Sequence, residues 1–234
     1  VMIYGNLGFP ALGLNGAGWA TLISRIMMGL MMAYYVWNSK RYSTYNLSLG
    51  FKKLSFPMFS KLIKIGVPTG FQFIFEVGAF SAAAIMMGWI GVTALAAHQI
   101  AINLASISYM MASGLSTAAM VRVGNQLGRK DIKTLREAGF TAFVMVAIFM
   151  SVSAVIFILF REFLPSLYID DVSVIQMSAT LLVIAGFLQL SDGLQVVGLG
   201  ALRGMSDVRV PTIVTLIAYW VIGLPLGYIL AFSL

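Results

Sequence analysis

No cysteine occurs in the 234 residues, and His98 is the single histidine. A disulfide framework and a thiolate site are therefore excluded, and one histidine cannot build a metal centre unaided. Charge is as scarce. Asp, Glu, Lys and Arg make up 10% of the chain, where a soluble domain carries about 25%. What fills the sequence instead is apolar: 60% of residues are hydrophobic and the mean hydropathy is +0.93. The net charge of +7 raises the question of nucleic acid. The basic residues, however, lie in short connectors between apolar runs and not along an aromatic-studded groove. The composition implies a lipid bilayer as the surrounding medium and no nucleic-acid partner.

Six stretches are long enough to cross a hydrocarbon core of about 30 Å, which takes roughly 20 helical residues. They lie near 15–37, 65–90, 94–120, 138–160, 174–201 and 211–232. None has the polar stripe of a helix lying on a soluble protein. The predicted fold class is all-α, a polytopic membrane helix bundle with six complete transmembrane helices. Pro68, Gly70, Gly78, Gly114, Gly193 and Gly198 fall inside these spans. Neighbouring helices re-satisfy the backbone at such positions, and small residues let helices approach closely, so most of them read as packing positions. Methionines cluster at Met27, Met28, Met31 and Met32, and again at Met86, Met87, Met110 and Met111. Flexible thioethers suit surfaces that accept ligands of many shapes. Adjacent pairs point in different directions on a helix, so the greater part reads as core or lipid-facing.

The connectors carry the orientation. Lys40, Arg41, Lys52, Lys53, Lys61 and Lys64 precede the second span, and Arg122, Arg129, Lys130, Lys133 and Arg136 separate the third from the fourth. Arg203 and Arg209 separate the fifth from the sixth. All but two of the fifteen basic residues thus fall on one side, which the positive-inside rule makes cytoplasmic. The opposite connectors hold Gly91-Val92-Thr93 and an acidic stretch with Arg161, Glu162, Asp170 and Asp171. The chain opens on Val1-Met2-Ile3 and closes on Phe232-Ser233-Leu234. Both ends read as cuts through a longer protein, with residues 1–9 as the tail of a preceding span.

Two acids stand alone inside apolar spans, Glu76 in the second and Asp192 in the fifth. Ionisable groups at such depth are costly and mark ion or substrate pathways by default. Glu76 lies twelve residues beyond Lys64 and Asp192 eleven before Arg203. At 1.5 Å per residue both sit roughly 16–18 Å from the basic face, near the midplane. Gln72 is one turn from Glu76, while Gln189, Ser191 and Gln195 flank Asp192. Carboxylates and amide oxygens are ligands for a hard cation or a proton. Such acids can alternate between protonated and cation-bound forms, the basis of ion coupling. The competing reading makes them packing groups, or partners of Arg25, the one basic residue well inside a span. Arg25 is either such a structural partner or a side chain that snorkels to the interface.

The run Gly66-Val67-Pro68-Thr69-Gly70-Phe71-Gln72-Phe73-Ile74-Phe75-Glu76 resembles the start of the seventh helix of multidrug and toxic compound extrusion (MATE) transporters. Ala96-Ala97-His98-Gln99-Ile100-Ala101-Ile102-Asn103, followed by Val121-Arg122-Val123-Gly124-Asn125-Gln126-Leu127-Gly128, resembles their eighth helix and its exit. Asp192-Gly193-Leu194-Gln195 through Arg203-Gly204 resembles the tenth, and Tyr219-Trp220-Val221-Ile222-Gly223-Leu224-Pro225 the eleventh. The resemblance implies a two-lobed, twelve-helix antiporter in which a sodium or proton gradient drives export of cationic, amphipathic drugs by alternating access. Residues 1–40 would then hold the end of one helix and the last helix of the N-terminal lobe. Residues 41–64 would be a basic cytoplasmic linker between lobes, and 65–234 five of the six helices of the C-terminal lobe. Glu76 and Asp192 match acids implicated in cation binding in the sodium-coupled branch, with Gln72, Gln189, Gln195 and Asn103 as polar groups around substrate or cation. Leu188 stands where some members carry an aromatic one turn before the second acid.

These readings imply no resident cofactor, only a coupling ion, sodium or proton. The partners are cationic amphipathic small molecules, the bilayer and the missing N-terminal lobe. The expected location is the cytoplasmic membrane of a bacterium. Of the rivals, a lipid-linked oligosaccharide flippase of the same broader superfamily calls for more cavity cations than Arg25. A channel calls for a filter run of carbonyls. An intramembrane protease calls for a serine–histidine pair or two aspartates; His98 lies near the outer end of its span, and Asp192 has only Glu76 at its depth.

Overall fold

The computed structural model describes residues 5, 10, 12–39 and 55–232. Apart from Gly5, the predicted tail at 1–9 lies outside the described residues, as do Lys40, Arg41, Lys52 and Lys53 of the basic linker. The described residues form helices and turns, and six of the helices are long and apolar enough to cross a membrane.

The chain divides into two compact units, Val1–Ser55 and Phe56–Leu234. In the first, helix α1 spans Gly13–Asn38. Arg25 and all four methionines of this helix are exposed within that unit.

The second unit contains α2 (Phe56–Ile90), α3 (Val92–Arg129), α4 (Ile132–Leu159), the short α5 (Phe163–Ser166) and α6 (Val172–Gly204). A last span follows, built from α7 (Arg209–Leu216), a π-helix (Ile217–Gly223) and α8 (Leu224–Phe232). The six expected spans are all present. The helices run past them on the basic side, however. Lys61 and Lys64 lie on α2, Arg122 and Arg129 on α3, Lys133 and Arg136 on α4, and Arg203 on α6. Only Lys130 and Asp131 remain between α3 and α4. Assigning these cations to connectors is thereby corrected, because hydropathy reports where lipid ends and backbone hydrogen bonding continues beyond it.

Local chemistry sets the ends. Gly91 joins α2 to α3 alone, at φ 152°, a conformation that side chains disfavour. Asp131 caps α4 by accepting from the Thr134 amide at 3.1 Å, and Asp171 caps α6 by accepting from the Ser173 amide at 2.8 Å. These hydrogen bonds hold both carboxyls below the ordinary aspartate value. The π-helix precedes Pro225, whose ring lacks an N–H and crowds the carbonyl one turn back, so the regular ladder is reset just ahead of it.

Helix α4 shows why the bundle suits lipid. Ala142, Val146, Met150, Ser153 and Phe157 form a buried stripe at helical spacing, while Phe140, Ile148, Val155 and Leu159 stand exposed on the other side. A helix apolar all round belongs in a membrane. The stripe packs on α3 and α6, and these three helices make the closest association in the unit. Small residues allow it. A β-carbon at Gly193 would run into Met150, and one at Gly200 into Ser116, whose Oγ donates to the Val196 carbonyl at 2.7 Å. Against this trio lies α2 paired with the last span, stitched by Thr212 of α7 donating to the Pro68 carbonyl at 3.0 Å and by the Trp220 indole of the π-helix donating to the Phe75 carbonyl at 2.9 Å.

Candidate functional site: an acidic cavity between two helix groups

Helix α2 buries its polar side. Its fully enclosed positions are Gln72, Glu76 and Ala79, at i, i+4 and i+7, while Phe71, Ile74 and Val77 face outward. In water this would be an inverted helix; in lipid it directs the costly groups inward. Gly193, locked against Met150, fixes the rotation of α6, and the preceding residue, Asp192, then points away from α4. The two acids come from separate helices yet line one cavity of about 490 Å3, between α2, α3 and α6.

The Tyr109 hydroxyl on α3 donates to Glu76 Oε1 at 3.0 Å. Gln99, Ser81 and Ser106 add neutral oxygens to the lining, and Phe73, Phe80, Ile102 and Met110 add apolar surface. Met110 is the member of the methionine clusters that reaches this cavity. Its size falls within the range of small-molecule sites, and its composition, apolar walls with a few convergent polar groups, is theirs too. Carboxylate, phenol and amide oxygens can hold a monovalent cation or a proton, and aromatic faces attract an organic cation. Among the described residues, no group of three or more His, Cys, Asp and Glu comes together to hold a metal ion.

The other four predicted polar residues sit elsewhere. Gln72 is wholly buried one turn from Glu76; it accepts from Arg203 Nη2 at 3.0 Å and donates to Thr215 Oγ1 at 3.4 Å. Gln189 donates to Ser108 Oγ at 2.7 Å and ties α6 to α3. Gln195 donates to the Tyr219 hydroxyl at 3.2 Å, beside a second cavity of about 430 Å3 between α6 and α7. Asn103 accepts from the Tyr168 hydroxyl at 2.8 Å. Leu188 is exposed and absent from the lining. Sequence reasoning missed Tyr109, Gln99 and Ser106. A signal existed: about the Gly91 turn, Ser106 lies as many residues after as Glu76 lies before, and Tyr109 one turn further.

Six membrane-length helices among the described residues, three of which (α2, α3 and α6) enclose an acidic cavity, define an integral, multi-pass membrane protein. The MatE family model matches residues 68–229, and the chain belongs to the MatE family. It is 42% identical over 237 residues to a protein of Mesorhizobium japonicum named "Probable multidrug resistance protein NorM", covering 99% of this chain and 51% of that one. It is 38% identical to a protein of the same name from Brucella suis, over 99% of this chain and 50% of the other. Identity to "Multidrug resistance protein MdtK" of Yersinia pseudotuberculosis is 37% over 233 residues, covering 100% and 51%. The chain spans about half the length of the curated relatives it matches.

Proposed function

We propose that this chain is part of a transporter that extrudes cationic, amphipathic drugs across the cytoplasmic membrane of a bacterium in exchange for sodium or protons. The observation that carries the reading is the shared cavity: two carboxylates from different helices, deep in the membrane, beside aromatic and methionine surface. Relatives named as multidrug resistance proteins support it. An acidic lining favours a cation over the phosphate of a lipid-linked sugar. The protein acts by carrying solute and makes or breaks no covalent bond.

In the proposed cycle the basic ends of the helices face the cytoplasm. With the cavity open outward, an entering cation takes the Glu76 and Asp192 carboxylates and displaces the drug. With the cavity open inward, the cation leaves and a new drug enters. One charge moving through 100 mV supplies about 2.3 kcal/mol, enough to concentrate a drug substantially. The N-terminal lobe completes the cavity walls, and the basic linker between lobes runs from residue 41 into the first turns of α2.

The test is efflux of a fluorescent cationic dye from vesicles containing the complete protein, with sodium and proton gradients imposed separately. Efflux that follows one gradient in the wild type, and is lost in Glu76→Gln and Asp192→Asn, supports the reading and names the ion. Dye movement indifferent to both gradients, or unchanged in both variants, overturns it.

A further inference from the structure

Arg203 is the least expected charge in the fold. It belongs to the last turn of α6, yet its side chain turns back into the bundle and reaches α2. Nη2 donates to Gln72 Oε1, the guanidinium lies 4.8 Å from the centroid of the Phe73 ring, and Nε is buried without an acceptor. Among the described residues it forms no ion pair with a carboxylate. Asp207, four residues further on, lines the second cavity instead.

A guanidinium half withdrawn from water without an anion carries a cost, and so does an intramembrane carboxylate without a cation. Both costs occur side by side here. Gln72 precedes Glu76 by one helical turn, about 6 Å of rise, on the same buried face. Phe73, against which the guanidinium stacks, itself lines the acidic cavity. The long arginine side chain is anchored to a neutral amide and not to an acid.

We propose that Arg203 is a built-in counter-cation for Glu76, a positioning residue that keeps positive charge beside the carboxylate when no cation is bound and competes with the cation that enters. The inference rests on the antiport reading above. An emptied cavity is then not left with an uncompensated acid, and the entering cation must displace the influence of the arginine. The affinity for the driving cation is thereby held low enough for release.

The experiment measures dye efflux by the complete transporter in vesicles as a function of the driving cation, sodium at fixed pH and protons at fixed sodium. Wild type, Arg203→Gln, Arg203→Lys and Gln72→Met are compared. Removing the charge in Arg203→Gln lowers the half-saturating cation concentration on the order of tenfold, the scale of a charge interaction across a few ångströms in partly buried surroundings. Arg203→Lys keeps the charge and stays within about threefold of wild type. Gln72→Met removes the neutral anchor, frees the arginine toward Glu76 and shifts half-saturation the other way; it decides the matter should Arg203→Gln fail to fold. A purely structural tether gives a different pattern: reduced maximal rate, unchanged half-saturation, and lysine no better than glutamine. That pattern overturns the proposal while leaving antiport intact. Wild-type efflux indifferent to both cations overturns antiport and this inference together, and is seen before any substitution is made.

Discussion

Gly193→Ala tests how α6 is set against α4, and with it the placement of Asp192. A β-carbon there runs into Met150 Cγ, with Val146 Cγ2 at 3.0 Å and Met150 Cε at 3.1 Å. Met150 and Val146 are fully buried, so the collision has nowhere to relax. Overpacking of this kind costs about 1–3 kcal/mol, and the better helix propensity of alanine returns up to about 1 kcal/mol. After the full offset the expected net loss is about 0–2 kcal/mol. Gly139→Ala on α4, where a β-carbon meets nothing within 4 Å, keeps only the favourable contribution. Met150→Ala alone loses about 2–5 kcal/mol through the void it leaves. In the double variant the new methyl occupies part of that void, so the losses are sub-additive by at least about 0.5 kcal/mol. Unfolding of the complete protein in mixed detergent micelles measures all four. Equal stability of Gly193→Ala and Gly139→Ala, or strict additivity with Met150→Ala, refutes the packing argument.

Tyr109→Phe should cost about 1.5–3 kcal/mol in the wild type, where the hydroxyl meets a carboxylate, and about 0.5–1.5 kcal/mol in a Glu76→Gln background, where the bond is neutral; the same unfolding assay reads both. Trp220→Phe should cost about 1 kcal/mol through the lost bond to the Phe75 carbonyl. It should also make Gly78→Ala more tolerable, because Trp220 Cζ2 stands 3.1 Å from the added methyl. The Asp171 cap has a pH signature. Its folded value is depressed below 3.8, so the contribution is complete above pH 3.8 and disappears as pH falls through the lower folded value. Hydrogen exchange at the Ser173 and Val174 amides should accelerate beyond the intrinsic rate only below that point, and at all pH values in Asp171→Ala.

The spans were legible because run length and hydropathy measure the same thing, the thickness of lipid that each helix must cross. The acids were legible for the complementary reason, since their cost within those runs singles them out. Direction around a helix was less legible. Gln189 and Gln195 stand three residues either side of Asp192, which fixes their level; yet one turns to Ser108 on α3 and the other to Tyr219 on the π-helix. Those directions follow from which faces the glycines press together, a property of neighbours and not of spacing. Arg203 shows the same limit. Counting cations puts it with the basic connectors, but a long side chain ends several ångströms from its backbone, and here it ends on Gln72. The π-helix had one visible cause, Pro225, and no periodic signal of its own.

The central claim is that Glu76 and Asp192 act as one site where cation and drug exchange. Equilibrium binding of a fluorescent cationic dye to the purified complete protein, titrated with sodium and separately with acid, tests it most directly in wild type, Glu76→Gln, Asp192→Asn and the double variant. Dye displaced by one of the two cations in the wild type, with displacement lost as fully in either single variant as in the double, is the predicted result. Displacement that survives in the double variant, or losses that add as independent contributions, contradicts a shared site.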